Sequence, residues 1–451
     1  MALSGTSKSF VLWKETPLPM YIDLYMFNWT NPEKTLKEGA KPHFEEIGPY
    51  VFTEEHTKVN IVWNKNGTVS FKQVRKWNFV PHLSVGNLYD KITNINVVAM
   101  TVGAMIKKII PKNELPIVDA ILKHEEGTMY VTKTVGELLF DGYDDKFLSL
   151  MQKLKPFVKI DLPFDRFGWF VNRNGSADYD GVFNMDTGTD DLFRLGKLYA
   201  WNFQSETNFF SGSCSKVKGT SGELWPPNIA DHDTIEVFAG DICSSATLVR
   251  EQTTEKFGIE GTTYIGNEKM FDNGTVYPEN KCYCLRNGSD QCQPSGTRDL
   301  SSCRYGAPAF VSFPHFYLAD PSYRELVSGM NPSEKQHQFT ATLAKDVGIP
   351  LEVNARLQIN IYVEPIQGLL FYDSLPSAML PQLWFNQRAS ITEDLASQLS
   401  PVFLFKQLGQ PLFFTICGIG VFLLLLGVIL LISEKRCNRQ KQPLLLTEDM
   451  E

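Results

Sequence analysis

The residues best suited to chemistry in this chain are cysteines. Cys214, Cys243, Cys282, Cys284, Cys292 and Cys303 fall within 90 residues, while Cys417 and Cys437 stand far downstream. Thiols gathered in this way either oxidise or hold a metal. Cys282-x-Cys284 has the wrong spacing for a zinc knuckle and no histidine pair accompanies it, which favours three disulfides and leaves their pairing open. Disulfides in turn require the oxidising side of a membrane. The sequence holds no Gly-x-Ser-x-Gly elbow, no His-Glu-x-x-His helix and no phosphate-cradling glycine loop. GTSGEL at 219–224 has the wrong spacing for a nucleophile turn. Asp186, Asp190 and Asp191 lack the spacing and closing Glu of a calcium loop and read as a solvated turn. The chain therefore reads as a non-enzyme with no metal or cofactor.

Sites of modification and contact are more numerous. Asn-x-Ser/Thr sequons at Asn28, Asn66, Asn174, Asn273 and Asn287 point to the same compartment as the cysteines. Several are Asn-Gly steps, which favour exposed turns. Lys107, Lys108 and Lys112 end an apolar helical run. They are either a solvated helix end favoured by the helix dipole or an apical patch for anionic ligands. Ten basic residues against nine acidic ones in 86–160 weaken the second option. His124, ahead of Glu125 and Glu126, is the nearest candidate for a pH-dependent contact. Near the C-terminus, Cys437 is a candidate palmitoylation site and Leu444, Leu445 and Leu446 form a candidate sorting signal. The net charge of -8, with both signs spread along the chain, argues against a nucleic-acid partner.

The elements that must carry these residues are legible in part. Residues 412–432, LFFTICGIGVFLLLLGVILLI, contain no charge and reach roughly 30 Å as a helix, the thickness of a bilayer core. Lys435, Arg436, Arg439 and Lys441 follow, so the positive-inside bias puts the tail at 433–451 in the cytosol and 1–411 outside it. MALSGTSKSF at the start has no apolar signal segment, and the expectation is a shortened form of a protein with an N-terminal anchor. Residues 11–80 alternate as strands about a hairpin at Asn66-Gly67. Residues 86–160 carry helical spacing broken by prolines and predict three or four short helices. Strands and turns return from 164 to about 365, with RLQINIYV at 356–363 a clean strand. Residues 374–410 read as apolar and partly helical. No internal repeat or long linker divides the chain, which favours one large domain ahead of the membrane.

Six stretches carry a wider resemblance: MFNWTNPEKTLKEGAKPHFEEIGPYVF at 26–52, TVGELLFDGYDDKFL at 134–148, CSKVKGTSGELWPP at 214–227, VFAGDIC at 237–243, GAPAFVSFPHFYLADP at 306–321 and RLQINI at 356–361. In these the chain resembles the class B scavenger receptors, which include the fatty acid translocase, the lysosomal integral membrane protein type two and the insect sensory neuron membrane proteins. The resemblance implies an α+β fold: an antiparallel β-barrel-like ectodomain, a helical apical bundle near 86–160, an apolar tunnel and one C-terminal transmembrane helix. It implies the pairings Cys214–Cys282, Cys243–Cys303 and Cys284–Cys292 in a disulfide-rich region at 214–303.

The chain departs from the family at several places. The resemblance implies a span near the N-terminus, and MALSGTSKSF does not read as one, in line with the expected shortened form. Cys243-Ser244-Ser245 stands where many have Cys-Arg-Ser, and ATLAKDVGIP at 341–350 departs from the usual turn. Gln440 and Lys441 replace the acidic residue ahead of a lysosomal dileucine. The expected function is a receptor that binds lipids (fatty acid, sterol, phospholipid or lipoprotein) and passes lipid through the tunnel to the membrane. It would sit in the plasma membrane or in an endosomal or lysosomal one. The alternative is an endolysosomal trafficking receptor that binds a lumenal protein through the helical apex in a pH-dependent way. Glycosidase digestion of the cell-expressed chain should raise its gel mobility. An unchanged band would favour a cytosolic ectodomain.

Overall fold

A computed structural model describes residues 2–124, 127–154, 165–285 and 292–440. The chain divides into two compact units, 1–392 and 393–451. Fifteen strands are found among the described residues of the first: β1 (Met20–Trp29), β2 (Phe44–Trp63), β3 (Thr68–Phe79), β4 (Lys91–Ile95), β5 (Tyr130–Thr134), β6 (Val182–Asp186), β7 (Leu198–Trp201), β8 (Thr234–Ala239), β9 (Ser244–Lys256), β10 (Ile259–Ile265), β11 (Arg298–Asp299), β12 (Ala309–Ser312), β13 (Thr340–Ala344), β14 (Pro350–Val363) and β15 (Ala378–Ser390). One sheet takes them in the order β7-β6-β3-β2-β1-β15-β14-β13-β10-β9-β8, with β12 and β11 branching from β14. Its pairs are antiparallel, and β4 with β5 forms a separate ribbon.

The two ends of this sheet meet through a short seam. Leu198 N on β7 donates to Gly219 O (2.9 Å), Thr220 N donates to Glu236 O (3.1 Å), and Phe238 N on β8 donates to Thr220 O (2.9 Å). The sheet is thereby a nearly closed barrel, which removes most of its unpaired edge. Gly219 makes the seam possible: its φ is +79°, and a Cβ there would lie 2.1 Å from Glu236 O.

Helices cover one part of the sheet. Besides the short α1 (Lys8–Lys14) and α2 (Pro32–Glu38), a group is formed by α3 (Val97–Ile109), α4 (Leu115–His124) and α5 (Lys146–Leu154); α6 (Ser322–Leu326) and α7 (Glu334–His337) are single turns. Asn96 organises the group. Its Oδ1 accepts from Ala99 N and caps α3, while its Nδ2 donates to Asp145 Oδ2 (2.9 Å). Asp145 in turn accepts from Phe147 N at the start of α5. Val98, Met100, Phe147 and Leu148 then pack with Ile361 and Leu380 of β14 and β15 in one buried cluster. In the second unit, α8 (Glu393–Gln440) contains a segment, Pro411–Arg436, with a mean hydropathy of 2.9, long and apolar enough to cross a membrane.

The α+β class, the barrel-like sheet and the apolar C-terminal helix agree with the expectation. Local readings erred in two places. Residues 378–390 form β15, central in the sheet between β1 and β14, where a partly helical return was expected. Pro381 and a register shift at Ile359/Asn360 interrupt the period-2 pattern that marks a strand. Within 86–160, KITNI and YVTKT are β-branched and pair as β4 and β5 instead of joining the helices. Gly219→Ala should destabilise the first unit by about 1–3 kcal/mol through backbone strain and the carbonyl clash. A lowered thermal midpoint is the expected result; an unshifted one would remove the seam's importance.

Candidate functional site

A cavity of about 530 Å³ lies inside the first unit. Val98, Val102 and Leu148 of the helical group form part of its wall, and Ile22, Leu357 and Phe385 of the barrel form another. These strands present an apolar inner face because alternate residues point the same way. One region of the lining is different: Glu54, Arg75, Arg173, Asp241 and Arg304 all contribute there. The void is therefore largely greasy with a charged boundary, and it suits an amphiphile or an apolar molecule by size and by lining.

The charged boundary belongs to a larger buried network. On β2, Glu54, His56 and Lys58 all point inward. Spaced two apart on one strand, these residues share a face, and the structure puts that face inside the barrel. His56 Nε2 lies 2.5 Å from Glu54 Oε1, and His56 Nδ1 lies 2.9 Å from Glu223 Oε1. Both ring nitrogens thus face carboxylate oxygens, which only an imidazolium can satisfy with two donors. Lys58 Nζ pairs with Glu223 Oε2, and Gln387 Nε2 donates to Glu54 Oε1 (2.7 Å). A second group adjoins it. Arg75 Nε lies 2.9 Å from Asp180 Oδ2, and Arg173 Nη2 lies 2.8 Å from Asp241 Oδ1 and 3.2 Å from Asp180 Oδ1.

Electrostatics follow from this pairing. Burial alone would push His56 down, but Glu54 and Glu223 outweigh it and raise its pKa above the ordinary value. Burial would raise Glu223, yet Lys58 and His56 hold it at about 2. Glu54 is likewise lowered, against burial, by His56, Arg75 and Arg173. Asp241 is held far below the carboxylate range by Arg173 and Arg75 in spite of burial.

The cysteines pair as Cys214–Cys282, Cys243–Cys303 and Cys284–Cys292. The Cys243–Cys303 bond bears on the cavity: Asp241 precedes it by two residues and Arg304 follows it, and Arg304 Nη2 donates to Asp241 O (2.5 Å). Lys107 and Lys108 occupy the exposed last turn of α3 and Lys112 the exposed connection after it; Lys107 Nζ pairs with Glu364 Oε1. They lie outside the cavity lining. His124 is exposed at the end of α4, while Glu125 and Glu126 lie outside the described residues.

The sequons differ from one another in setting. Asn66 and Asn174 are exposed. Asn28 lies in β1 and its Oδ1 accepts from Thr93 N. Asn273 is buried with its Nδ2 bonded to Gln293 O (2.8 Å), so it is not the exposed turn that its Asn-Gly step suggested. Asn287, Leu444, Leu445 and Leu446 fall outside the described residues, as does the side chain of Cys437 in the last turns of α8. Sequence reasoning missed the buried histidines: His56, His337, and His315, whose Nε2 lies 2.6 Å from Glu46 Oε2. Strand alternation places His56 on a face but cannot name its partners, and His315 sits in a single turn, Pro314–Phe316, that no period marks.

Comparisons with known proteins agree on one relationship. The sequence model of the CD36 family matches residues 1–431. Protein peste of Drosophila melanogaster is 38% identical over 412 residues, which cover 91% of this chain and 73% of that protein. Scavenger receptor class B member 1 of Mus musculus is 33% identical over 439 residues, covering 96% and 84%. Lysosome membrane protein 2 of Rattus norvegicus is 32% identical over 425 residues, covering 94% and 85%.

The network has a pH signature. His56 faces Glu54 and, through Glu223, Lys58, with Gln73 and Arg75 beside it on β3. An unfolded histidine titrates near 6.5 and the folded one above it, so its contribution is complete below about pH 6.5 and is lost as pH rises through the raised value. The Glu54 and Glu223 contributions are complete above about pH 4.5 and are lost as pH falls through their lowered values. The thermal midpoint should thus be higher at pH 5.5 than at pH 8.5, and His56→Gln should shrink that difference. An undiminished difference in the variant would assign the effect elsewhere.

Proposed function

The chain belongs to the CD36 family, the class B scavenger receptors, and from there we propose that it binds lipids or lipid-bearing particles and passes lipid through the interior of its ectodomain to a membrane. The observation that carries this reading is the cavity of about 530 Å³ that joins helical and barrel walls. An alkyl chain moved there from water gains about 0.8 kcal/mol per buried methylene, and transfer needs no bond to be made or broken. We read 1–411 as extracytosolic, 412–432 as the span and 433–451 as a cytosolic tail. In this reading Lys108 and Lys112 are apical contacts for anionic particles. The disulfides stiffen the region at 214–303, and Asn66 and Asn174 are the sequons best exposed for glycans. Cys437 and the leucines at 444–446 would serve membrane attachment and sorting.

Lipids that co-purify with the full chain in mild detergent, identified by mass spectrometry, test the proposal. Val102 is buried in the cavity wall, and Val102→Phe adds bulk there at a cost of about 1–3 kcal/mol. The wild type should retain lipid and the folded variant should retain roughly tenfold less, a change worth about 1.4 kcal/mol. Equal retention would separate lipid binding from this cavity. A folded wild type that binds a lumenal protein but no lipid would support the trafficking alternative.

A further inference from the structure

The interior is stratified along two neighbouring strands. On β3, Trp77 faces the cavity, Arg75 and Gln73 belong to the charged network, and Phe71 and Val69 join an apolar cluster with Trp13, Phe183 and Phe238. On β2 the same order recurs: Phe52 among apolar neighbours, then Glu54, His56 and Lys58. At about 3.4 Å per residue the polar stratum is roughly 10 Å deep. It also runs across the barrel, from Gln387 on β15 and Glu54 on β2 to Glu223, just beyond the seam, and to Asp241 after β8. The cavity lining includes Glu54 and Arg75 but not His56, Lys58, Gln73 or Glu223. Apolar space on one side and an apolar cluster on the other are thus separated by ion pairs.

We propose that this charged layer is a valve: lipid held in the cavity reaches the apolar cluster beyond it only when the bridge through His56 parts. The inference rests on the lipid-receptor reading and adds its regulation. The bridge ties β2 to the segment after the seam through two carboxylates, and both need a donor from the same ring. A neutral imidazole has one N–H, so either Glu54 or Glu223 must then face a lone pair. The remaining groups do not replace the lost donor. Lys58 already pairs with Glu223, Gln387 with Glu54, and Arg75 and Arg173 with Asp180 and Asp241. Gln73 lies 3.4 Å from the same His56 Nδ1. Deprotonation of His56 therefore loosens one specific strut across the barrel and leaves the cavity walls intact.

The test separates loading from delivery. The full chain, reconstituted in phosphatidylcholine vesicles, is loaded with radiolabelled cholesterol or monooleoylglycerol, whose own charge does not change with pH. Bound lipid is measured at equilibrium, and delivery is then timed into acceptor phosphatidylcholine vesicles at pH 5.5 and 8.5. The valve predicts similar loading at both values and delivery about tenfold faster at pH 8.5. His56→Gln should abolish the pH dependence. Glu54→Gln, whose amide can donate to a neutral ring, should keep delivery slow at both values. Wild-type delivery at equal rates, or a His56→Gln variant with the wild-type pH profile, overturns the valve while leaving the receptor reading in place. Failure of both probes to load overturns the receptor reading and the valve with it.

Discussion

A charge placed inside a barrel must be neutralised where it stands. An ion removed from water without a partner costs several kcal/mol, more than most single contacts return. Here eight charged side chains meet inside one unit, and each finds an opposite charge: Glu54 and Glu223 with His56 and Lys58, Asp180 and Asp241 with Arg75 and Arg173. Pairing of this kind adds little net stability compared with apolar packing, but loss of one member leaves its partner stranded. The network therefore acts as a register check. β2, β3, the segment beyond the seam and the turn after β8 must all arrive together for the charges to cancel.

The apolar parts of the interior obey a different rule. Protein cores pack to the density of organic crystals, and unfilled space forfeits dispersion contacts. A cavity of about 530 Å³, walled largely by apolar side chains with a charged boundary, leaves such contacts unmade. Elsewhere the same unit buries large aromatic side chains. Trp29, Tyr50, Tyr264 and Tyr372 are fully buried. Tyr264 OH and Tyr372 OH both donate to backbone carbonyls.

The disulfide at Cys243–Cys303 joins these two regimes. It pins the turn carrying Asp241 to the segment carrying Arg304, so that one charged wall of the cavity is held by a covalent link as well as by hydrogen bonds. A site lined by groups on rigid strands and on a cross-linked turn keeps its shape better than one built on free loops.

The sequence by itself determined the apolar span at 412–432, the hairpin at Asn66-Gly67, the helical character of Val97–Ile109 and Leu115–His124, and the family. Each is a local pattern: a run of uncharged residues, a turn dipeptide, a 3.6-residue period, or identities in order. Tertiary structure alone decided which face of β2 turns inward, that AMLPQLWFNQRAS is a central strand, and that Asn273 is buried. It alone also set His56 between carboxylates. The physical reason is the same in every case. Period 2 tells which side chains share a face, whereas burial and charge pairing depend on segments more than a hundred residues apart, such as Glu223 and His56, that meet only when Gly219 and Thr220 close the barrel.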